Sequence, residues 1–408
     1  MNADGDALII GAGPAGAATA IWLAQAGWRV VLVEKNTYPR DKVCGECIAA
    51  GNLDLLDSLG VGRAFRSLAG PELRSVAWMR GTATTMAALP RAEGSHAYGR
   101  ALGRDQLDAL LVARCRELGV TVRQPATVLS VGGGPGAFDC RLQDRSGMTQ
   151  VLRVPIVVDA HGSWEAGPRR GAASAARLPR KPTDLFAFKA RFRNATLAPG
   201  LLPVLAFPGG YGGMVLAEQG RVTLACCVRR DSVARVRRLA PGTSAGVAIE
   251  SYLRSSCAGL RLALTGATRE CAWLSVGPLR PGERVEATDG LFRVGNAAGE
   301  SHPLIGEGIS MALQSARLLA GLFATEAAAA MDAVRQREVQ ARYAKAWRGA
   351  FRQRLRYAAV FAHLAMRPLL AQSVGGLLGR RPQLLTVAAR LAGKASRPVE
   401  FRLLHEEM

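Results

Sequence analysis

The chain has 408 residues, of which 49% are hydrophobic and 21% charged, and this composition excludes a disordered, collagenous or coiled-coil protein. Its 53 basic and 32 acidic residues give a net charge of +21, which indicates either an anionic partner or the arginine preference of a GC-rich genome. Eight cysteines without a secretory leader predict reduced thiols and a cytoplasmic protein, at most peripheral at a membrane.

The first element is a short apolar strand at 7–10, followed by a glycine-rich loop and an apolar helix. Gly11 permits a tight turn, Gly13 lets the backbone approach a pyrophosphate, and Gly16 lets the helix pack on the strand. A second strand is predicted at 29–33, and Glu34 at its end can accept hydrogen bonds from a ribose. The pattern predicts a dinucleotide-binding unit but does not choose between FAD and NAD.

The next segments carry a cysteine pair and a helix. Cys44 and Cys47 form a lone C-x-x-C, which lacks the second ligand pair of a zinc site, so no metal is predicted. Residues 107, 110, 111 and 115 are apolar at helical spacing, which predicts a buried helix face with Arg104 at the start of the helix. Period-two alternation over 74–97 and 183–274 then predicts strands.

Near residue 290, Asp289 to Val294 predict a strand that leads into GNAAGESHPLIGEGISMALQSA, a glycine-rich loop and a long helix. Together with the first loop, this segment resembles the FAD-dependent oxidoreductases of the geranylgeranyl reductase and p-hydroxybenzoate hydroxylase superfamily. YPRDKVCGECIAAG at 38–51, the helix led by Arg104, and VVDAHGS at 157–163 also resemble that superfamily. Asn296 and His161 depart from the acidic residues usual at their positions.

The resemblance implies FAD as cofactor and NAD(P)H as its reductant. In this superfamily the turn at Gly295 and Asn296 holds the ribityl chain, and the loop with Gly306, Gly308 and Ile309 holds the flavin ring. The positive end of the helix that opens at Gly308 faces the flavin edge that becomes negative on reduction. The resemblance assigns to FAD the residues Gly11, Gly13, Pro14, Ala15, Gly16, Glu34, Lys35, Arg40, Cys44, Gly45, Arg104, Val128, Gly162, Gly295, Asn296, Gly306, Gly308 and Ile309.

The expected fold class is α/β. A discontinuous, doubly wound, Rossmann-like FAD-binding domain of the glutathione reductase type covers 1–73, 98–182 and 275–330. A mixed β-sheet substrate domain is inserted at 74–97 and 183–274, and Gly209, Gly210 and Tyr211 resemble its Gly-Gly-Tyr turn. Gly213 replaces an aromatic residue that usually follows it. A basic helical tail covers 331–408.

The tail contains twelve basic and no acidic residues between Val339 and Val399. Tyr343, Trp347, Phe351 and Leu355 recur every fourth residue beside an arginine stripe, which predicts an amphipathic basic helix. Its apolar stripe either packs on the FAD-binding domain or meets an anionic bilayer. Pro368 and the pair at 375–376 are expected to break the following chain into shorter helices, the last at 384–391.

The predicted activity is that of an FAD-dependent oxidoreductase acting on a hydrophobic aromatic, polyketide or isoprenoid small molecule, with a preference for monooxygenation. Reduction of a C=C bond, as in the geranylgeranyl reductases, is the alternative. An RNA-binding flavoprotein is an alternative of another class, although nucleic acid is not the partner we favour. His302 and Cys47 are the candidate catalytic residues, and Glu307 is expected at the surface or behind the site. The sequence leaves the oligomeric state open.

Overall fold

The structure is a computed structural model that describes residues 4–163, 167–168, 179–285, 289–326, 328 and 331–395. The ends of two predicted FAD-domain segments and the last part of the predicted tail, 396–408, lie outside these residues. Within the described residues, no helix is long and apolar enough to cross a membrane.

A five-stranded parallel sheet forms the centre of the first domain. Its strands are β1 Ala7–Ile10, β2 Val30–Val33, β7 Thr121–Arg123, β11 Ile156–Asp159 and β19 Phe292–Arg293. Across the sheet they lie in the order β19-β11-β1-β2-β7. β1 and β2 are apolar and buried along their whole length, because both faces of the sheet are covered. Ala7 and Ile9 belong to the core with the helices, and Leu8 and Ile10 to the core on the other face.

Three helices cover one face and a small antiparallel sheet covers the other. The helices are α1 Pro14–Gln25, α4 Arg104–Glu117 and α8 Gly308–Phe323, and the small sheet consists of β8 Ala126–Gly134, β9 Ala137–Asp144 and β10 Thr149–Val154. The predicted fold class, a nucleotide-binding α/β domain with a second mixed sheet and C-terminal helices, is therefore confirmed.

The second sheet has eight strands and is mixed, since β13 pairs with β4 in parallel and the other pairs are antiparallel. Its strands are β4 Ser75–Arg80, β5 Ala83–Ala88, β12 Leu185–Arg193, β13 Leu201–Phe207, β14 Gly210–Leu216, β15 Val222–Arg229, β16 Thr268–Arg269 and β17 Leu274–Leu279. The prediction of strands throughout 183–274 was wrong in part. This range also contains α5 Arg230–Leu239, α6 Ala245–Ser256 and α7 Ala258–Ala263, whose apolar side chains share a core with the sheet.

Short elements connect the two domains. They are β3 Cys47–Ile48, α2 Leu53–Ser58, α3 Gly62–Leu68, β6 Arg100–Ala101, β18 Gly282–Glu283 and β20 Gly299–Glu300. β3 pairs with β6, and β18 pairs with β20. β3 begins at Cys47, and β20 lies within the second glycine-rich segment, so each pair holds one of these two segments against a distant part of the chain.

The tail forms α9 Ala333–Met366, α10 Pro368–Arg380 and α11 Gln383–Leu391. Tyr343, Trp347 and Phe351 of α9 are at most 1% exposed and belong to the core of the FAD-binding domain. This stripe is therefore packed inside the protein and does not offer stacking platforms to RNA or an apolar face to a bilayer. The chain breaks at Pro368 as predicted, but α10 continues through the glycine pair at 375–376, so that predicted break was wrong.

Candidate active site

The first glycine-rich loop connects β1 to α1 in a turn that only glycine fits at two positions. Gly11 has φ +100°, and a Cβ on it would lie 2.6 Å from the carbonyl oxygen of Ala160. A Cβ on Gly16 would lie 1.9 Å from the carbonyl oxygen of Gly11. The tight turn and the close helix packing expected of these two glycines are therefore present.

The helix that follows this loop opens toward two cationic side chains. An added Cβ on Gly13 would lie 3.6 Å from Arg104 Nη2 and 3.9 Å from Lys42 Nζ. Partial burial and the nearby Arg104 lower the pKa of the Lys42 ammonium, as expected when two cations face each other without an anion between them. Since a helix N-terminus also attracts negative charge, this corner fits a pyrophosphate.

The arginine of this pair is held by its own helix. Arg104 begins α4 as predicted, and its guanidinium donates to both carboxylate oxygens of Asp108, at 2.8 and 2.7 Å. Asp108 is completely buried, so this bidentate contact fixes the guanidinium in one position. Arg104 was predicted as a cofactor residue from the sequence. Lys42, which lies inside the segment at 38–51, was not.

Glu34 stands at the end of β2, as expected. Its carboxylate accepts hydrogen bonds from the backbone NH groups of Ala12 and Asn36, both at 3.0 Å. Burial opposes its ionisation, but Lys42 and these amide donors outweigh burial and hold its pKa below the usual value. Glu34 therefore carries a negative charge beside the loop.

The second glycine-rich loop packs directly on the first. A Cβ on Gly295, which has φ +60°, would lie 2.7 Å from Cβ of Ala15. Asn296 donates from Nδ2 to Oγ of Ser163 at 2.5 Å. Gly306 has φ +64° and ends the turn before α8, and a Cβ on Gly308 would meet nothing within 4 Å. The start of α8 therefore borders open space.

Both loops line one cavity of about 490 Å³, which is within the usual size range of ligand sites. The predicted cofactor residues that line it are Gly13, Pro14, Ala15, Cys44, Gly45, Arg104, Gly162, Gly295, Asn296, Gly306, Gly308 and Ile309. Gly11 and Gly16 shape its wall, whereas Glu34, Lys35, Arg40 and Val128 are not among the lining residues. Val128 is buried in the core that includes the small sheet, so its assignment to FAD remains a prediction.

The rest of the cavity is apolar. One wall consists of Val76, Trp78, Leu202 and Val204 from the eight-stranded sheet and of Leu89, which directly follows β5. The tail contributes a second wall with Phe361, Leu364, Val374, Leu378, Leu385 and Ala389. Because the polar corner lies at the glycine loops and the apolar walls lie beyond them, the cavity fits a dinucleotide and a hydrophobic second ligand. The tail wall was not predicted.

A group of buried ionisable side chains lines the same cavity. Burial raises the pKa of the Glu300 carboxyl, raises that of the Tyr211 hydroxyl well above its usual value, and raises that of the Cys227 thiol to about 12. His302 lies 3.2 Å from the Tyr211 hydroxyl through Nδ1, and burial lowers its pKa to about 4. Glu300, Tyr211 and Cys227 line the cavity, whereas His302, a predicted catalytic candidate, is not among the lining residues and touches the site through Tyr211. At neutral pH the Tyr211 hydroxyl and the Cys227 thiol are protonated and the His302 imidazole is uncharged.

Cys47 faces a residue from the far end of the chain. Lys394, after α11, donates from Nζ to Cys47 Sγ at 3.7 Å, and both residues line the cavity. Glu307 is 1% exposed and is not among the lining residues, so of its two predicted positions, at the surface or behind the site, it takes the second. Burial raises the pKa of the Glu307 carboxyl even though Lys394 and Arg354 oppose that shift. The loop before α8 is thus flanked by two cations supplied by the tail.

The cysteine loop is fixed by a buried ionic cluster. Glu46, with φ +60°, accepts from Lys189 Nζ, from Arg191 Nη2 at 2.9 Å and from Thr223 Oγ1 at 2.5 Å. Lys189 and Arg191 lie on β12 and Thr223 on β15, so the cluster ties the loop to the eight-stranded sheet. In the sequence, Glu46 is visible only as an acidic residue between two cysteines. That pattern does not predict its contacts with the eight-stranded sheet.

Comparison with known proteins agrees with this site. Residues 4–176 match the family described as FAD binding domain. The chain is 26% identical over 414 residues to Menaquinone reductase of Mycolicibacterium smegmatis, which covers 96% of this chain and 92% of that protein. It is 25% identical over 334 residues to Conditioned medium factor receptor 1 of Dictyostelium discoideum, which covers 77% of this chain and 62% of that protein. The chain thus spans less than two thirds of the latter relative.

Two solved structures share the fold over almost the whole chain. The myxobacterial chondrochloren halogenase has a TM-score of 0.74 at 20% identity, covering 95% of this chain and 91% of its own. A geranylgeranyl bacteriochlorophyll reductase-like protein from Thermoplasma acidophilum has a TM-score of 0.66 at 16% identity, covering 96% and 95%. These two likenesses show a shared fold, and the FAD binding domain match at 4–176 agrees with the resemblance inferred from the motifs.

Proposed function

We propose that this chain, which resembles the FAD-dependent oxidoreductases of the geranylgeranyl reductase and p-hydroxybenzoate hydroxylase superfamily, reduces a C=C bond in a hydrophobic, isoprenoid-like molecule. NAD(P)H is the proposed source of electrons. The observation that carries the proposal is the cavity, which continues from the glycine loops into apolar walls and is lined by Glu300, a carboxyl whose pKa burial raises. FAD, when bound, supplies hydride transfer.

The chain's own groups divide the binding task. Lys42, Arg104 and the N-terminus of α1 hold the pyrophosphate, and Asn296 offers an amide to the ribityl chain. The N-terminus of α8 at Gly308 and the Lys394 ammonium present positive charge to the flavin side of the cavity. The walls formed by the sheet and the tail exclude water from the apolar part, which protects a hydride-transfer site from solvent.

A double-bond reduction also needs a proton for the second carbon. Glu300 is 3% exposed, lines the cavity and holds a proton more tightly than an ordinary glutamate, so we assign it as the proton donor. Tyr211 lies close enough to Glu300 for that carboxylate to raise its pKa further, which places a second proton carrier beside the first. The full-length likeness to Menaquinone reductase also supports reduction.

Hydroxylation of an aromatic ring, which the sequence analysis preferred, is the second candidate. One observation favours it: the Tyr211 hydroxyl lines the cavity and hydrogen-bonds the uncharged His302, so Tyr211 can orient a phenolic substrate by a hydrogen bond to its hydroxyl. The two reactions differ in their need for oxygen, because reduction proceeds without it and hydroxylation incorporates one of its atoms.

The test uses the purified flavoprotein with NADH or NADPH and menaquinone carrying an unsaturated side chain, with and without oxygen. We expect an anaerobic product that has gained one molecule of hydrogen, identified by mass spectrometry. Glu300→Gln should slow this reaction about a hundredfold with unchanged FAD content, because a general acid contributes that order of magnitude. Glu117→Gln, at an exposed position on α4, serves as the control. Incorporation of labelled oxygen into a phenol, with no anaerobic reduction, would instead establish the hydroxylase.

A further inference from the structure

The last two helices carry an unusual exposed apolar surface. Fourteen large apolar side chains are exposed among the described residues, and seven of them lie between residues 360 and 391. We call the part on α10 and α11 the tail face; its side chains are Leu369, Leu370, Leu377, Leu384, Val387 and Leu391, with exposures of 80, 39, 52, 37, 52 and 46%. Such concentration marks an interaction site rather than the usual scatter of single apolar residues.

The same helices are apolar on their inner side. Leu377 is exposed, whereas its neighbour Leu378 lines the cavity; Leu384 is exposed, whereas Leu385 lines the cavity. Both helices pack on β5, so only a single layer of helix separates the cavity from the tail face. A helix that is apolar on both sides is suited to a nonpolar environment outside as well as inside.

The charges around the tail face all have one sign. Arg367, Arg380, Arg381 and Arg390 are exposed, and within the described part of the chain none of them forms an ion pair with an acidic side chain. No acidic residue occurs between 339 and 399. Exposed leucines flanked by arginines are the combination that binds the interface of an anionic bilayer, where basic residues meet lipid phosphates.

We propose that the tail face docks on an anionic lipid bilayer, with α10 and α11 lying in its interface. The docking surface lies on α10 and α11 and not on α9, because the aromatic stripe of α9 is buried in the core. A second copy of the chain is a poorer partner, because a twofold contact would bring the arginines of both copies together. The proposal goes beyond the proposed function, since binding to lipid does not depend on the reaction.

The test is co-sedimentation of the full-length flavoprotein with vesicles of phosphatidylcholine alone or mixed in equal amounts with phosphatidylglycerol. We expect binding to the mixed vesicles that weakens with salt. Combined Leu369→Gln, Leu377→Gln and Val387→Gln should lower the partition coefficient by at least about tenfold, since each side chain buries apolar surface in the interface. Combined Arg380→Gln and Arg381→Gln should also lower it, by about thirtyfold, from roughly 1 kcal/mol for each of the two basic residues.

The matched control is the combination Met148→Gln, Leu239→Gln and Leu262→Gln, which removes three apolar side chains exposed elsewhere by 71, 78 and 68%. It should bind vesicles as the unchanged protein does. FAD content and circular dichroism report whether each variant is folded. Equal binding by the tail-face variant and the control overturns the proposal, as does absence of binding by the unchanged protein. Dimerisation that the tail-face variant abolishes, without vesicle binding, assigns the surface to a second copy instead.

Discussion

Replacing Glu46 is expected to destabilise the protein strongly, although the residue lies in a loop. Its carboxylate is 1% exposed and accepts hydrogen bonds from Lys189, Arg191, Thr223 and the backbone NH of Arg104, the last at 3.1 Å. Removing it leaves two buried cations with fewer partners, and breaking a buried ion pair in this way costs about 3 to 5 kcal/mol.

We expect the lower end of that range for Glu46→Ala, about 3 kcal/mol, because other carboxylates remain in the cluster. Asp41 lies 3.1 Å from Lys189 and 2.8 Å from Arg191, and Asp105 also contacts Arg191. Glu46→Gln keeps the shape and some hydrogen bonds, so its cost should be about 1 to 3 kcal/mol. Both substitutions keep a non-glycine residue at φ +60°, and the comparison therefore isolates the side chain.

The assay is denaturant unfolding at several pH values. Burial disfavours the ionised Glu46, but Lys189 and Arg191 outweigh it and lower the pKa of the carboxyl in the folded protein. A lowered folded-state pKa contributes stability above the unfolded-state pKa, and this contribution disappears as pH falls through the folded-state pKa. The difference between the unchanged protein and Glu46→Gln should therefore be largest at neutral pH and shrink in acid.

The control is Glu117→Ala, which removes a solvent-exposed ion pair with Arg114 at 2.9 Å and should change the unfolding free energy by less than about 0.5 kcal/mol. If Glu46→Ala costs no more than this control, or if the Glu46→Gln difference is independent of pH, the argument from the buried cluster is refuted.

Three further predictions concern the cofactor loops and the tail. Arg104→Gln should weaken FAD binding by about tenfold or more, measured by fluorescence titration of the apoprotein, because a charge-assisted contact is worth about 1.5 to 3 kcal/mol, whereas exposed Arg116→Gln should leave it unchanged. Gly16→Ala should abolish FAD retention because its Cβ would lie 1.9 Å from a carbonyl oxygen, whereas Gly349→Ala, at an exposed position of α9 with nothing within 4 Å, should retain FAD; equal retention would contradict the loop geometry. Trp347→Ala should cost about 3 to 5 kcal/mol of unfolding free energy, and a loss below about 1 kcal/mol would show that α9 is not part of the core.

The sequence identified the parts of the site that local chain geometry dictates. Glycines at fixed spacing predict the first turn, because no other residue fits at Gly11 or Gly16. Arg104 was placed correctly at the start of α4 because apolar spacing located that helix. The two loops meet at Ala15 and Gly295. This contact could be predicted only from the family resemblance, since no local pattern links segments so distant in sequence.

The sequence predictions that were wrong depended on contacts that local sequence does not show. Helices α5 to α7 were missed because alternation in the neighbouring strands was extended across them, although Ser244 caps α6 with a hydrogen bond to the NH of Val247. The glycine pair in α10 does not break the helix; Gly375 packs close to Trp78, where an added Cβ would lie 3.6 Å from Nε1. For Glu307 the sequence left open a position at the surface or behind the site, because the tertiary contacts that bury it come from Arg354 and Lys394, far away in the chain.

The pairing of Cys47 with Lys394 has a consequence for biosynthesis. A chain emerging from the ribosome completes the pyrophosphate corner once α4 has formed, but it gains the last side of the chamber only when its final helices are released. Both glycine-rich loops and the sheet wall precede the tail in the chain, so the cofactor pocket can assemble before α10 and α11 enclose its apolar side.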